Sequence, residues 1–332
     1  MQRLLLWFLL AALLPAAVHD VRPKGCVKTF SHTHPVVMRI EAGDIVRTTT
    51  LDAFGGDAEG TNHCTAPANP LTGPFYVAGA ESGDAVAIHL RKVRVNRGWG
   101  WTTNRLMPAS LLPADRKDLY PTRYKPDLVF AGHDNLVPWD IDPKKSVLRL
   151  REPGSAKARM EFAAQPMIGC IGVAAEGDQA PDGSGSGAYG GNLDYNAVAE
   201  NTTVLLPVYH RGGLIFFGDG HALQGDGELN GTGIETSLDI EFTVEIRKDA
   251  RLTGPRLETA GHVISVGSQP EYRSSLDTAL QMATSDMVRW LTEEFGLEPW
   301  AAHLTIALNA RYDVVTLAGS MGLRIPKNVL SR

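Results

Sequence analysis

The chain has no Gly-x-Ser-x-Gly elbow, no dense block of lysine and arginine, no internal repeat, and no second long apolar run after its first residues. Each absence removes a class of protein. Without the elbow, the exposed serine of an α/β-hydrolase has no seat, and the serines of Gly183-Ser184-Gly185-Ser186-Gly187 are wrongly placed for one. Without a basic block, and at a formal net charge of -5, no nucleic-acid partner is expected. Arg91, Lys92, Arg94 and Arg97 lie close together but alternate with Val93 and Val95, as on one exposed strand face. Without a second apolar run, the mature protein is expected to have no stable membrane span. Cysteine is scarce as well: Cys26, Cys64 and Cys170 are all there is. An odd count in an oxidising compartment allows one disulfide and one free thiol. Cys26 and Cys64 are the expected pair, since both lie in the loop-rich N-terminal part.

The first residues read as a leader. Arg3 precedes an apolar run from Leu4 to Leu14, and small residues follow at Pro15-Ala16-Ala17. A basic start, a short hydrophobic stretch and small residues near a cut site describe a signal peptide. The alternative, an uncleaved anchor, is disfavoured because a span needs about 20 apolar residues. The expectation is a signal peptide over residues 1–18, cleaved near residues 17 to 19, and a secreted or periplasmic product. Roughly 310 residues then remain, enough for two compact domains.

Most of that remainder has the period-two alternation of half-buried strands. Val36, Met38 and Ile40 alternate before the turn Glu41-Ala42-Gly43-Asp44, and Val86, Ile88 and Leu90 alternate after Ser82-Gly83-Asp84. Leu238, Ile240, Phe242, Val244 and Ile246 give the clearest case, interleaved with Asp239, Glu241, Thr243 and Glu245. Closely spaced glycines and prolines between these runs favour a mainly β chain with a β-sandwich or barrel core over residues 19–254. Residues 176–192 contain so little apolar material that a loop is predicted. After about residue 255 the character changes. Ser274 or Ser275 can cap a helix bearing Leu276, Ala279, Leu280, Ala283, Met287, Trp290 and Leu291 on one face, and Gly296 supplies a stop. Trp300–Leu308 reads as a second helix, and Tyr312–Leu317 as a strand or that helix's end. Residues 255–332 are therefore expected to form a small α+β unit.

The densest polar constellation is Gly218-Asp219-Gly220-His221-Ala222-Leu223-Gln224-Gly225-Asp226-Gly227-Glu228, directly after the apolar Leu214-Ile215-Phe216-Phe217. Glycine spacing lets the backbone fold tightly, so these side chains can converge on one point. Carboxylate and imidazole together suit zinc or a similar divalent cation, whereas the spacing does not fit the EF-hand calcium loop. Further acids stand beside glycines at strand ends: Asp52 before Gly55-Gly56, Asp194 after Gly190-Gly191, and Glu235 after Gly231-Thr232-Gly233. Any one of them alone also reads as an ordinary turn residue. Cys170, in Met167-Ile168-Gly169-Cys170-Ile171-Gly172-Val173, reads as a small core residue more readily than as a nucleophile.

Taken together, the motifs resemble the acetamidase/formamidase family from about residue 30 to the C-terminus. The resemblance is carried by Asn69-Pro70-Leu71-Thr72-Gly73-Pro74-Phe75-Tyr76-Val77, Gly79-Ala80-Glu81-Ser82-Gly83-Asp84, Gly169-Cys170-Ile171-Gly172-Val173-Ala174, Gly190-Gly191-Asn192-Leu193-Asp194 and the segment from Gly218 to Glu228. Ile325-Pro326-Lys327 also matches the family's end. The resemblance implies hydrolysis of a small, formamide- or acetamide-like amide to carboxylate and ammonia, with a bound divalent metal, zinc or alternatively calcium. It implies a small-molecule amide as the partner and a homo-oligomer. On matching positions, Asp52, Asp219 and His221 would contact the metal, with Asp194 in the same set. Glu228 or Glu235 would activate water, and Asn192 or Gln224 would hold the carbonyl or amide. Two departures stand out: an export signal, and the insertion-like Val95-Asn96-Arg97-Gly98-Trp99-Gly100-Trp101. The alternatives are a non-catalytic ligand-binding β-sandwich, or a metal hydrolase acting on a lactam or ester.

Overall fold

A computed structural model describes residues 16–22, 25–64, 68–119, 123–153, 156–269 and 275–330. The apolar run Leu4–Leu14 and the candidate cap Ser274 lie outside the described residues. Alternation produces strands as expected. Leu238–Arg247 buries Leu238, Ile240, Phe242 and Val244 and exposes Asp239 and Glu245. It pairs along its whole length with Ala85–Val95, and on its other edge with Ile45–Thr49. These strands lie in a nine-stranded sheet that runs from Val18–Asp20 at one edge to Arg311–Thr316 at the other.

A second, eleven-stranded sheet carries Met167–Val173, Ile215–His221, Glu235–Thr236, Trp99–Thr103 and Leu136–Asp142 in its middle. Leu71–Val77 also pairs with Ile215–His221. Both sheets are open, so the core is a sandwich and not a closed barrel. Phe242 from the first sheet meets Phe75 and Phe217 from the second at ring-centroid distances of 5.5 and 4.7 Å. One cluster of buried apolar side chains spans both sheets, as face-to-face packing requires.

The C-terminal segment contributes helices Leu276–Glu293 and Pro299–Asn309. Ser275 is the first helix's N-cap, its side chain accepting from the Thr278 backbone N–H. Ala283, Met287, Trp290 and Leu291 pack on Val263, Leu323 and Ile325, whereas Leu280, placed on the same face by periodicity, is exposed. The stretch around Tyr312 is a strand, Arg311–Thr316. It pairs with Ser320–Pro326, which pairs with His262–Ser268, so the segment's strands continue the nine-stranded sheet.

Two local readings change. Residues 176–192 begin as a loop but close in short strands, Ser186–Gly187 and Gly190–Asn192, which pair with each other, and the second pairs with Met167–Val173. Glycine-rich strands have no side-chain alternation to read, so their pairing shows only in the backbone ladder. Arg97 does not share the exposed face of Arg91 and Arg94. It is buried, with Asp52 as its ion-pair partner. Cys26 and Cys64 form a disulfide with Cα atoms 6.5 Å apart, and Cys170 is free and buried. Among the described residues, no helix is long and apolar enough to cross a membrane.

Candidate active site

The site grows from Ile215–His221, every residue of which is buried in the middle of the second sheet. Its apolar first half, Ile215-Phe216-Phe217, anchors it in the core, so Asp219 and His221 at its end must be buried too. Sheet register then brings Glu235 directly opposite His221. His221 Nε2 lies 3.1 Å from Glu235 Oε1 and 3.3 Å from Asp219 Oδ1. Asp194 joins from the loop after Gly190–Asn192, its backbone N–H donating to the Gly169 carbonyl at 3.1 Å. Asp194, Asp219 and His221 offer ligand atoms within 4.8 Å of one another, and so do His221, Glu228 and Glu235.

Small residues make this crowding possible. A Cβ on Gly169 would lie 2.5 Å from Asp194 Oδ1 and 2.9 Å from Asp219 Oδ2, and one on Gly233 would lie 2.6 Å from the His221 ring. Three of the acids sit on left-handed backbone, with φ of 45° at Asp194, 54° at Asp219 and 45° at Glu228. Such conformations are sparsely populated by side-chain-bearing residues and gather at functional sites.

The electrostatics are those of acids denied water. Burial, reinforced by the charge of Asp219 and opposed by His221, pushes Asp194 up to about 7. Burial likewise raises Glu235 to about 8, with His221 opposing and Asp219 adding. Glu228 lies well above the ordinary glutamate range, through burial and the nearby Asp194. Burial opposes charge on His221, but Glu235 and Asp219 outweigh it and hold its pKa well above the usual histidine value.

Four buried atoms of this cluster, Asp194 Oδ1, Asp219 Oδ1, His221 Nε2 and Glu235 Oε2, complete no hydrogen bond, though His221 Nε2 lies at ion-pair distance from Glu235 Oε1 and Asp219 Oδ1. Orphaned buried polar atoms are costly, and their gathering in two groups that share His221 calls for something that satisfies them. Three carboxylate oxygens and one imidazole nitrogen are a donor set that fits a divalent cation. The surrounding side chains orient these ligands. Gln224 Nε2 donates to the Asp194 carbonyl at 2.6 Å, which turns Gln224 Oε1 toward His221 Nδ1 at 2.7 Å. An acceptor there fixes the ring proton on Nδ1 and directs Nε2 into the cluster. Asn69 Nδ2 donates to Asp219 Oδ2 at 2.7 Å and to Asn192 Oδ1 at 2.9 Å, and Asn192 Nδ2 donates in turn to Asp194 Oδ2.

A cleft of about 490 Å³ opens onto the cluster, lined by Asn69, Asn192, Asp194, Asp219, Glu228 and Glu235 on one side and by Phe54, Trp101, His133 and Leu136 on another.

The Acetamidase/Formamidase family profile matches residues 151–299, the segment that supplies every ionisable group of the cluster. The chain is related to the acetamidase/formamidase family. It is 26% identical over 255 residues to a formamidase of Methylophilus methylotrophus, covering 65% of this chain and 62% of that protein. It is 26% identical over 226 residues to an acetamidase of Mycolicibacterium smegmatis, covering 55% of this chain and 54% of that protein. The chain thus spans less than two thirds of the length of these curated relatives. An acetamidase structure from Yersinia enterocolitica superposes with a TM-score of 0.78 at 24% identity, over 97% of this chain and 96% of that one, a likeness of fold.

The segment from Gly218 to Glu228, the densest polar constellation of the sequence, places Asp219, His221, Gln224 and Glu228 at the site. Asp226 does not join them; it is exposed and accepts from Asn196 Nδ2 at 2.7 Å. Gln224 is buried behind His221 and is not among the residues lining the cleft. Asn192 lines the cleft but is occupied with Asn69, Cys170 and Asp194.

Asp52, expected among the metal ligands, is not one of the side chains gathered in either group. Its Oδ2 accepts from Arg97 Nη2 at 2.6 Å, and its Oδ1 from the backbone N–H groups of Phe54 and Gly56 at 3.0 and 2.8 Å. With its oxygens so engaged, Asp52 holds the loop that presents Phe54. Cys170 sits in the core as a buried free thiol: burial and the charges of Asp219 and Asp194 push it well above the ordinary range, and Sγ donates to Asn192 Oδ1 at 2.9 Å. Sequence reasoning missed Asn69 as a site residue. It stands in the quoted Asn69-Pro70 motif, but an amide before a proline looks like a turn, and its contacts reach 150 positions along the chain.

Proposed function

We propose that this chain is a metal-dependent amidohydrolase that cleaves an amide to a carboxylate and ammonia. The gathering of unpartnered buried ligand atoms in two groups around His221, with a cleft leading to them, carries the reading. Kinship with proteins named formamidase and acetamidase supports it. Asp194, Asp219, His221 and Glu235 would hold the cation, and the mixed oxygen and nitrogen donors favour zinc over calcium, which prefers oxygen alone. A divalent cation held by these residues would supply polarisation of the amide carbonyl and a water acidified toward a pKa of about 7.

The protein's own groups handle the protons. Glu228, half-buried in the cleft wall, takes a proton from the attacking water and returns it to the leaving nitrogen. One carboxyl serves both halves of that exchange, as base when ionised and as acid once it holds the water's proton. Asn69 and Asn192 hold Asp219 and Asp194 in place, and Gln224 holds His221. Addition of water to the carbonyl carbon, followed by loss of ammonia, leaves the carboxylate and restores Glu228.

Two wider readings accompany this one. The apolar run Leu4–Leu14 and the Cys26–Cys64 disulfide support export to an oxidising compartment; cell fractionation that leaves the chain in the cytoplasm would rule export out. Trp300, Leu304 and Leu308 are exposed at four-residue spacing on helix Pro299–Asn309, which supports self-association.

The test of the activity is metal content and ammonia release on one purified preparation, with His221→Ala beside it. Stoichiometric zinc and ammonia from an amide, both lost in the variant, are expected. Bound metal with turnover of only a lactam or ester would redirect the chemistry. A protein that binds no metal and turns over nothing after reconstitution would end the enzyme reading in favour of a binding module.

A further inference from the structure

The cleft is divided by chemistry. Its lining holds one group of acids and amides around His221 and one aromatic group of Phe54, His133 and the largely buried Trp101, with Thr103, Asn135 and Thr232 also lining it. Phe54 stacks on Trp101 with ring centroids 4.5 Å apart and planes 23° from parallel. Phe130 supports both rings from behind, at 5.2 Å from Phe54 and 6.0 Å from Trp101. His133, exposed at the rim, lies 5.8 Å from Phe54. The wall is also held firmly. Asp52 and Arg97, both buried, fix the Phe54 loop, and the Arg97 guanidinium stacks on Trp99 at 3.9 Å.

These aromatic residues all fall outside residues 151–299, the part that matches the family profile. At about 490 Å³ the cleft has the size of sites that enclose drug-sized ligands, and far exceeds what acetamide would fill. A two-faced cleft of this kind recognises a two-faced ligand: a carboxamide at the acids and a flat apolar group against the rings. Ring-on-ring contact favours an aromatic group over an aliphatic one of equal area.

We propose that the cleft takes amides whose acyl carbon bears an aromatic ring, seated against Phe54 and His133 with the buried Trp101 stacked on Phe54 as its backing, and that Phe54 sets specificity. The proposal rests on the amide-hydrolase reading for its chemistry but on the apolar wall for its ligand. The reaction is ordinary hydrolysis: the aryl carboxamide takes up water, the C–N bond breaks, and an aryl carboxylate and ammonia leave.

The experiment uses the full-length protein with two measurements. Ammonia release compares benzamide with acetamide, and calorimetric titration with benzoate, the product, reports binding without turnover. A benzamide kcat/KM at least about tenfold above that of acetamide is expected, since apolar pocket contacts discriminate by about 10–200-fold. The benzamide-to-acetamide ratio and the benzoate affinity should both fall about tenfold or more in Phe54→Ala. Phe54→Leu, which keeps most of the bulk and removes the ring, should lower both in the same direction if the alanine variant does not fold. Acetamide turned over in preference to benzamide, with no benzoate bound, overturns this proposal and leaves the amidase reading intact. Benzoate bound in a Phe54-dependent manner without ammonia from either amide supports the aryl pocket and sinks the amidase reading. Neither ammonia nor binding overturns both.

Discussion

Gln224 lies behind the cleft, yet it determines what His221 presents there. Its amide orientation is set by the Asp194 carbonyl, and its Oε1 then accepts the proton on His221 Nδ1. Removing such a supporting acceptor from a metal-binding histidine typically weakens metal affinity by about 10–100-fold. Gln224→Met keeps the volume and removes the hydrogen bonds, so a loss of that size in zinc affinity is expected by chelator competition. Gln224→Glu, which restores an acceptor, should recover part of it. Unchanged affinity in the methionine variant would mean that His221 is oriented by packing alone. Gly169 acts at the same scale through the side chain it lacks, because the space its Cβ would fill belongs to Asp194 and Asp219.

Strands decide where the chemistry sits and how much it disturbs the fold. Ile215–His221 can carry buried polar groups at one end because its other end is anchored by Phe216 and Phe217 in the inter-sheet core. In the first sheet the polar device is Glu241 on Leu238–Arg247. It receives hydrogen bonds from Arg47 at 2.9 Å, Arg91 at 3.1 Å and Lys92 at 3.3 Å, joining three adjacent strands. The Arg47 hydrogen bond, helped by Arg91 and Lys92 against the cost of burial, holds Glu241 down at about 2. A carboxyl depressed in the folded state stabilises it fully above the unfolded value of 4.5 and loses that contribution as pH falls toward about 2. Comparing wild type with Glu241→Gln should therefore give a melting temperature lower in the variant by about 2 °C near neutrality, about 1 kcal/mol after solvent screening of the half-exposed partners. The gap should close progressively below about pH 4.5. A gap that persists unchanged at about pH 3 would contradict the ionic origin.

At the scale of the whole molecule, two open sheets face each other over one apolar core, and the cleft opens over the second of them. The C-terminal helices cover strands of the first sheet, leaving Trp300, Leu304 and Leu308 facing outward. If that stripe is a contact between copies, light scattering should find an oligomer for the full chain. The double substitution Trp300→Glu with Leu304→Lys should shift it toward monomer without lowering the melting temperature, because both side chains are already in solvent. A monomeric wild type would remove the helix from consideration as an interface.

Much of this was legible in the sequence, and for one reason: local patterns report local physics. Alternation at Leu238–Ile246 marked a half-buried strand, the Ser275 cap and apolar spacing marked a helix, and glycines between Asp219, His221, Gln224 and Glu228 marked side chains able to converge. Residue order alone was thus enough for the mainly β class and for the segment that supplies most of the ionisable cluster. Only the tertiary structure decided which acids belong together. Asp52 and Asp194 looked alike, each an acid beside glycines, until Arg97 claimed one and the cation-sized cluster received the other. Asn69 entered the site, and Gln224 became a support, through contacts between distant segments. Register and packing are long-range quantities. A carboxylate's role follows from its neighbours in space, and those neighbours are chosen by how two sheets meet.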